Sequence, residues 1–236
     1  MTKGRPAKRA KGRSDAAARR PASARSASPA TKPKKAPKPQ PAPAPSYEEP
    51  RTFRLGAIPG ATPGKWIDAW KERMPHVPLE LVPVAVAEQR GALAEVDASL
   101  VRLPIDPEGL STIPLYDEVT VVVVSLDSAL TVADELDPDD LAGEVVIVPR
   151  HDALGDLGIP GTLAPAFAPP ADTAEAIETV AAGVGVVIVP MSLARLHHRK
   201  DVTFRPLRGA PASTVALAWE SHRTTADVET FVGIVR

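Results

Sequence analysis

The chain has 236 residues, with 28 Lys+Arg, 29 Asp+Glu, 27 Pro and no Cys. Zero cysteine excludes a disulfide framework, thiolate metal sites and cysteine nucleophiles. The net charge of −1 averages two unlike segments: residues 1–50 carry 13 Lys/Arg against three acids, and residues 51–236 carry 15 against 26.

Residues 1–50 also hold 10 Pro and 12 Ala, with no Leu, Ile, Val or Phe. A segment with nothing apolar to bury cannot offset the roughly 1–2 kcal/mol per residue cost of ordering a backbone. The composition therefore predicts a disordered basic tail, its second half (32–45) an extended polyproline-type spacer. Near its start, Lys3-Gly4-Arg5-Pro6-Ala7-Lys8-Arg9 resembles an AT-hook, a slim cationic backbone suited to a narrow A·T minor groove. With Lys11 and Arg13 it makes a nucleic-acid-binding tail one reading, whether by a true hook or by non-specific contact with DNA. A solvated cationic tail with no such role is the other. No apolar stretch follows the basic N-terminus, so no signal peptide is read. The most apolar region, 180–194, is shorter than the ~20 residues of a span and is broken by Gly183, Gly185 and Pro190. The expectation is a cytoplasmic protein without a membrane partner.

From Thr52 the pattern changes. Residues 52–58 alternate and predict a strand. Pro59-Gly60-Ala61-Thr62-Pro63 predicts a loop, with Thr62 capping a helix over 65–74 and Pro63 at its first position. Trp66, Trp70 and Met74 share one face of that helix, suited either to the core or to a homodimer. A strand over 79–84, a short helix over 87–95 and a strand over 98–103 complete a parallel α/β unit. Residues 119–124 are apolar enough to be buried on both faces. A short helix over 138–141 and a strand over 145–148 follow. Asp172-Thr173-Ala174-Glu175 predicts a capping box for a helix over 173–182. Then come a strand over 186–189, a helix over 191–196, strands over 202–205 and 214–219, and an amphipathic helix over 225–236.

Three segments together resemble the effector-binding (substrate-binding) domain of LysR-type transcriptional regulators. They are Phe53-Arg54-Leu55-Gly56-Ala57-Ile58; Ala98-Ser99-Leu100-Val101-Arg102-Leu103-Pro104 with Pro114-Leu115-Tyr116-Asp117; and Thr179-Val180-Ala181-Ala182-Gly183-Val184-Gly185-Val186-Val187-Ile188-Val189-Pro190. The resemblance covers about residues 52–236. It implies an α/β protein of the type 2 periplasmic-binding-protein fold, with two Rossmann-like lobes and a central cleft. Lobe I would comprise 52–118 and 213–236, and lobe II 119–212, with crossings near 116–120 and 211–214. A small organic effector would bind between the lobes. Full members begin with a helix-turn-helix, and the tail has no pattern for one. The expectation is thus a ligand-sensing module, with no cofactor.

Carried over by position, the effector site would include Ile58, Ala61 and Thr62 in lobe I, with Leu103, Pro104 and Ile105 as an apolar wall. Arg102 would pair with a carboxylate such as Asp106 or meet the ligand. In lobe II, Arg150 and His151 follow a strand end, and Val184, Gly185 and Val189 would add backbone donors and an apolar floor. The helix bearing Trp66 and Trp70 would suit a homodimer contact. Enzyme motifs fail. Gly60-Ala61-Thr62-Pro63-Gly64-Lys65-Trp66 has three residues between its glycines where a P-loop has four, and Trp stands where Ser/Thr is needed. Gly-x-Ser-x-Gly and His-Glu-x-x-His are absent. Adjacent His197 and His198 would point apart on a helix and ligate one metal poorly.

Overall fold

The computed structural model describes residues 51–236. The basic tail, with Lys3, Arg5, Lys8, Arg9, Lys11 and Arg13, lies outside the described residues.

The chain begins with the parallel unit the pattern predicts. Strand β1 (Phe53–Ala57) leads into helix α1 (Gly64–Arg73), then β2 (Leu79–Pro83). A 3-10 turn (Val86–Glu88) and a short helix α2 (Gln89–Ala92) precede β3 (Ala98–Arg102). Both β2 and β3 pair with β1 in parallel. Next come β4 (Leu110–Glu118) and β5 (Thr120–Ser125). Helix α3 (Thr173–Ala181), β6 (Val187–Pro190), α4 (Met191–Leu196) and β7 (Val202–Pro206) follow. Strand β8 (Ser213–Glu220) and helix α5 (Ala226–Val235) close the chain.

Two sheets result, ordered β2-β1-β3-β8-β4 and β6-β5-β7. The first thus draws on both ends of the described chain, and the second on its middle. The chain crosses between them twice, at Val119 and between β7 and β8. The crossings touch: the Thr120 hydroxyl donates to the Pro211 carbonyl at 2.7 Å.

Each sheet has its own core. In the first, Phe53 stacks on Trp70 at 4.5 Å and on Phe231 at 5.2 Å, so β1, α1 and α5 share one aromatic centre. Trp66 and Trp70 are 6% and 0% exposed. The indole face of α1 therefore belongs to the core and leaves no Trp surface for a homodimer. The Trp70 indole N–H donates to the Val77 carbonyl at 2.9 Å, satisfying its one polar atom. In the second sheet, β5 is apolar on both faces because both are covered. Val121 and Val123 pack against α3, while Val122 and Val124 face Leu136, Leu141 and Leu207. Each such side chain, fully buried, contributes about 1.5–3 kcal/mol of transfer free energy.

Two local expectations are corrected, and one strand is added. Helix α1 starts at Gly64 with Pro63 in the cap position and no side-chain cap bond, so Thr62 does not cap it. Instead the Pro63 carbonyl accepts from Trp66 and Ile67 at 2.9 and 3.0 Å. The strand expected over 145–148 is reduced to single bridges, Val145 to Leu163 and Val146 to Val186. Pro149 follows at once and cannot donate to a ladder. Finally, β4 was not foreseen: Pro114 and a register shift between Pro114 and Tyr116 interrupt its alternation.

Candidate functional site

The site is built where the first crossing meets the ends of β1 and β6. Beyond β1, buried Ile58 donates its N–H to the Leu100 carbonyl at 3.3 Å, and the chain turns at Gly60 with φ +85°. A Cβ at Gly60 would fall 2.4 Å from the Ser192 hydroxyl oxygen on α4. Only glycine tolerates both that backbone and that approach. The loop of the first sheet is thereby pressed against a helix of the second.

A buried polar chain joins the same elements. The Arg102 side chain, 1% exposed, donates from Nη1 to Glu118 Oε2 at 2.7 Å and to Ser213 Oγ at 2.6 Å. From the other sheet, Ser192 Oγ donates to the same Glu118 Oε2 at 2.9 Å. The Arg102 backbone is clamped by buried Gln89, which accepts from its N–H at 2.8 Å and donates to its carbonyl at 2.9 Å. Arg102 thus pairs with Glu118 and not with Asp106, because β3 and β8 bring the ends of β3 and β4 together. The guanidinium Nε and Nη2 are buried without a hydrogen-bond partner. A buried ion pair with donors to spare adds little net stability over an apolar pair, while removal of one partner leaves a desolvated charge uncompensated.

Over this chain opens a cavity of about 510 Å³. The loop after β1 lines it with Gly60, Ala61 and Thr62, the end of β4 with Tyr116 and Glu118, and α4 with Met191, Ser192, Arg195 and Leu196. Burial pushes the Tyr116 phenol pKa up, nearby Glu118 adds to this, and Arg102 and the Thr62 backbone oppose it. Tyr116 therefore presents a protonated hydroxyl near neutral pH. A neighbouring cavity of about 360 Å³ takes Pro59 and Val86 on one side and His151, Thr173, Leu193 and His197 on the other. A third, of about 300 Å³, lies against Val146, Asp152, Leu157 and Ile188. Burial raises the Asp152 carboxyl pKa there, against backbone contacts at Leu154, Ala153 and Gly155 that lower it.

The residues proposed from sequence divide among these places. Ala61 and Thr62 line the 510 Å³ cavity, and Ile58 is buried just beneath their loop. His151 reaches the neighbouring cavity. Arg150 is exposed and donates its N–H to the Pro170 carbonyl at 2.8 Å. Leu103 and Ile105, flanking Pro104, pack against Leu93, Val101, Ala216 and Ala218 and do not line the 510 Å³ cavity. The Leu103–Pro104 peptide is cis. Val184 is exposed, and Val189 is buried in the second core opposite Val121. Gly185 allows a close backbone approach, since a Cβ there would lie 2.3 Å from the Val145 carbonyl oxygen. Sequence reasoning did not select Tyr116, Glu118, Ser192 or Arg195. The signals were available in the Pro114-Leu115-Tyr116-Asp117 motif and in the helix opening after Pro190.

Among the described residues no group of His, Asp or Glu could hold a metal ion, and no helix is long and apolar enough to cross a membrane.

Mixed α/β sheets joined by two crossings, with a cavity where they meet, make a domain of the periplasmic-binding-protein-like fold. The sequence model of the LysR substrate binding domain matches residues 47–236, and the chain belongs to that family, whose members are transcription regulators and not enzymes. Among curated proteins it is similar to the Hca operon transcriptional activator HcaR of Escherichia coli (strain K12). The two are 24% identical over 209 residues, which is 80% of this chain and 68% of HcaR. Among solved structures it is similar to the effector binding domain of a BenM variant. That match has a TM-score of 0.67 at 20% identity, covering 78% of this chain and 93% of the other. It is also similar to the reduced OxyR regulatory domain of Pseudomonas aeruginosa, with a TM-score of 0.61 at 23% identity, covering 80% and 96%.

Proposed function

We propose that this domain senses a small organic effector held between two lobes, 52–118 with 213–236 and 119–212, in a cytoplasmic transcription-regulatory protein. The observation that carries the reading is the 510 Å³ cavity lined from both sheets, with hydroxyls of Thr62, Tyr116 and Ser192 beside apolar Met191 and Leu196. A few polar groups set in a largely apolar hollow is the usual make-up of a small-molecule site. An effector touching both sheets prefers the arrangement in which the two are close, and its differential affinity is what shifts that equilibrium.

A thermal-shift screen of small carboxylates, amino acids and aromatic acids tests the reading. The account expects at least one compound to raise the melting temperature in proportion to log concentration. It expects Thr62→Ala and Tyr116→Phe to weaken that compound and Arg150→Ala to leave it unchanged. If every compound leaves the melting temperature where it was, the sensing role loses its support.

A second reading rests on the charge of residues 1–50, 13 Lys/Arg against three acids. Through Lys3, Arg5, Lys8, Arg9, Lys11 and Arg13 they would bind DNA non-specifically, with the folded domain as a dimerisation or interaction module. Mobility-shift titrations at several salt concentrations, with and without residues 1–50, test it. Tail-dependent, salt-sensitive binding supports it, and equal shifts without the tail remove it. Any homodimer through α1 would have to use its outer face, since the indoles point inward.

A further inference from the structure

The cavity between the sheets carries two opposite charges that do not meet. Glu118 is held at one oxygen only: Oε2 accepts from both Arg102 and Ser192. Its side chain is 9% exposed, it lines the cavity, and Oε1 has no hydrogen-bond partner among the described residues. Arg195 lines the same cavity, and among the described residues its guanidinium has no hydrogen-bond or ion-pair partner. Ser192 and Arg195 stand three apart on α4. Such residues are neighbours on one helix face, with Cβ atoms roughly 5–6 Å apart. Ser192 touches Glu118, and Arg195, one turn further along α4, lines the same cavity without pairing with that carboxylate.

A carboxylate oxygen and a guanidinium, both open to one cavity, describe a complementary molecule. We propose that the cavity takes a small zwitterion, an amino acid whose ammonium meets Glu118 Oε1 and whose carboxylate meets Arg195. This rests on the effector-sensing reading and narrows it to a ligand class. A lone carboxylate would satisfy Arg195 but face the Glu118 anion. A lone amine would satisfy Glu118 and leave Arg195 uncompensated. The Thr62 and Tyr116 hydroxyls border the same space and can donate to the ligand carboxylate. Met191 and Leu196 offer apolar surface to a side chain. The Ser192 hydroxyl and the Arg102 guanidinium hold Glu118 in place, so its free oxygen is presented in one direction.

The test uses the full chain and isothermal titration with each of the twenty protein L-amino acids in turn. Whether or not the amino acid binds, its α-deaminated acid and its decarboxylated amine are titrated as well. The same titrations are run on Glu118→Gln and Arg195→Gln. Arg195 is exposed, so its replacement is expected to leave folding intact, and melting curves check both variants. The expected result is binding of at least one amino acid, with at least tenfold loss when either charge is removed from the ligand. Each variant loses at least tenfold for the amino acid. In Glu118→Gln the deaminated acid gains, because the repelling carboxylate is gone. If deaminated acids bind wild type as tightly as amino acids, the zwitterion proposal is overturned and the effector-sensing reading survives. If neither amino acids nor acids bind, both fall.

Discussion

Arg102 and Glu118 make the sharpest prediction. Replacing Arg102 by Met keeps most of the side-chain volume in a site that is 1% exposed and leaves the Glu118 carboxylate, 9% exposed, with the Ser192 hydroxyl alone. Removing one partner of a buried ion pair costs about 3–5 kcal/mol, because the remaining charge stays desolvated. Ser192 keeps one bond to Glu118, which places the expected loss at the lower end, about 3 kcal/mol. For a domain of this size each kcal/mol moves the melting temperature by about 2–4 °C, so a drop of roughly 6–12 °C is expected. Urea denaturation followed by Trp fluorescence gives the free energy, with an unchanged m-value indicating an unchanged native state. The double variant Arg102→Met, Glu118→Leu is expected to recover most of the loss, since it removes both charges together. A loss below about 1 kcal/mol for Arg102→Met, the size of an exposed pair, would mean that Glu118 is not buried against Ser192 as described.

Three further outcomes are expected. Gly60→Ala meets both a positive φ and the Ser192 hydroxyl, and should cost about 1–3 kcal/mol by thermal denaturation; Gly109→Ala, with positive φ but open space, should cost less, and equal losses would remove the inter-sheet contact from the explanation. Asp152 has a raised folded pKa, so the folded state holds a proton that the unfolded state has released. Its contribution to stability therefore declines as pH rises from the ordinary Asp range through the folded value. Asp152→Asn should gain relative to wild type across that window, and a flat difference curve would contradict the buried carboxyl. Leu217→Ala, on β8 between β3 and β4 and fully buried, should cost about 2–5 kcal/mol in urea; a loss under about 1 kcal/mol would mean the first core is not where it is described.

Most of the fold was legible because its signals are local. The run at 119–124 reads as buried on both faces, and its strand from Thr120 is covered on both, with Val119 exposed at the crossing. The Asp172 cap holds, its carboxylate accepting from the Glu175 N–H at 3.0 Å. Glu175 reaches back one residue further than a simple box requires, to the Ala171 N–H at 2.6 Å. Helix α4 begins and ends where the pattern puts it. What escaped depends on pairing between distant segments. Strand β4 carries Pro114 and a register shift, and only β8 at the far end of the chain gives it a partner. Glu118 and Ser192 are 74 positions apart and meet only because the two sheets are joined at the crossing. Thr62 carries two readings: Thr before Pro suggests a cap, and the family resemblance places the same residue in the effector site. In the structure Thr62 makes no cap bond and lines the cavity.

Hydrogen exchange on the full chain, with and without a compound found to raise its melting temperature, locates the binding event. The account predicts added protection at 58–62, 116–120 and 191–196, segments from both sheets that meet around one cavity. Protection confined to 146–165, around the cavity that holds Asp152, would contradict it.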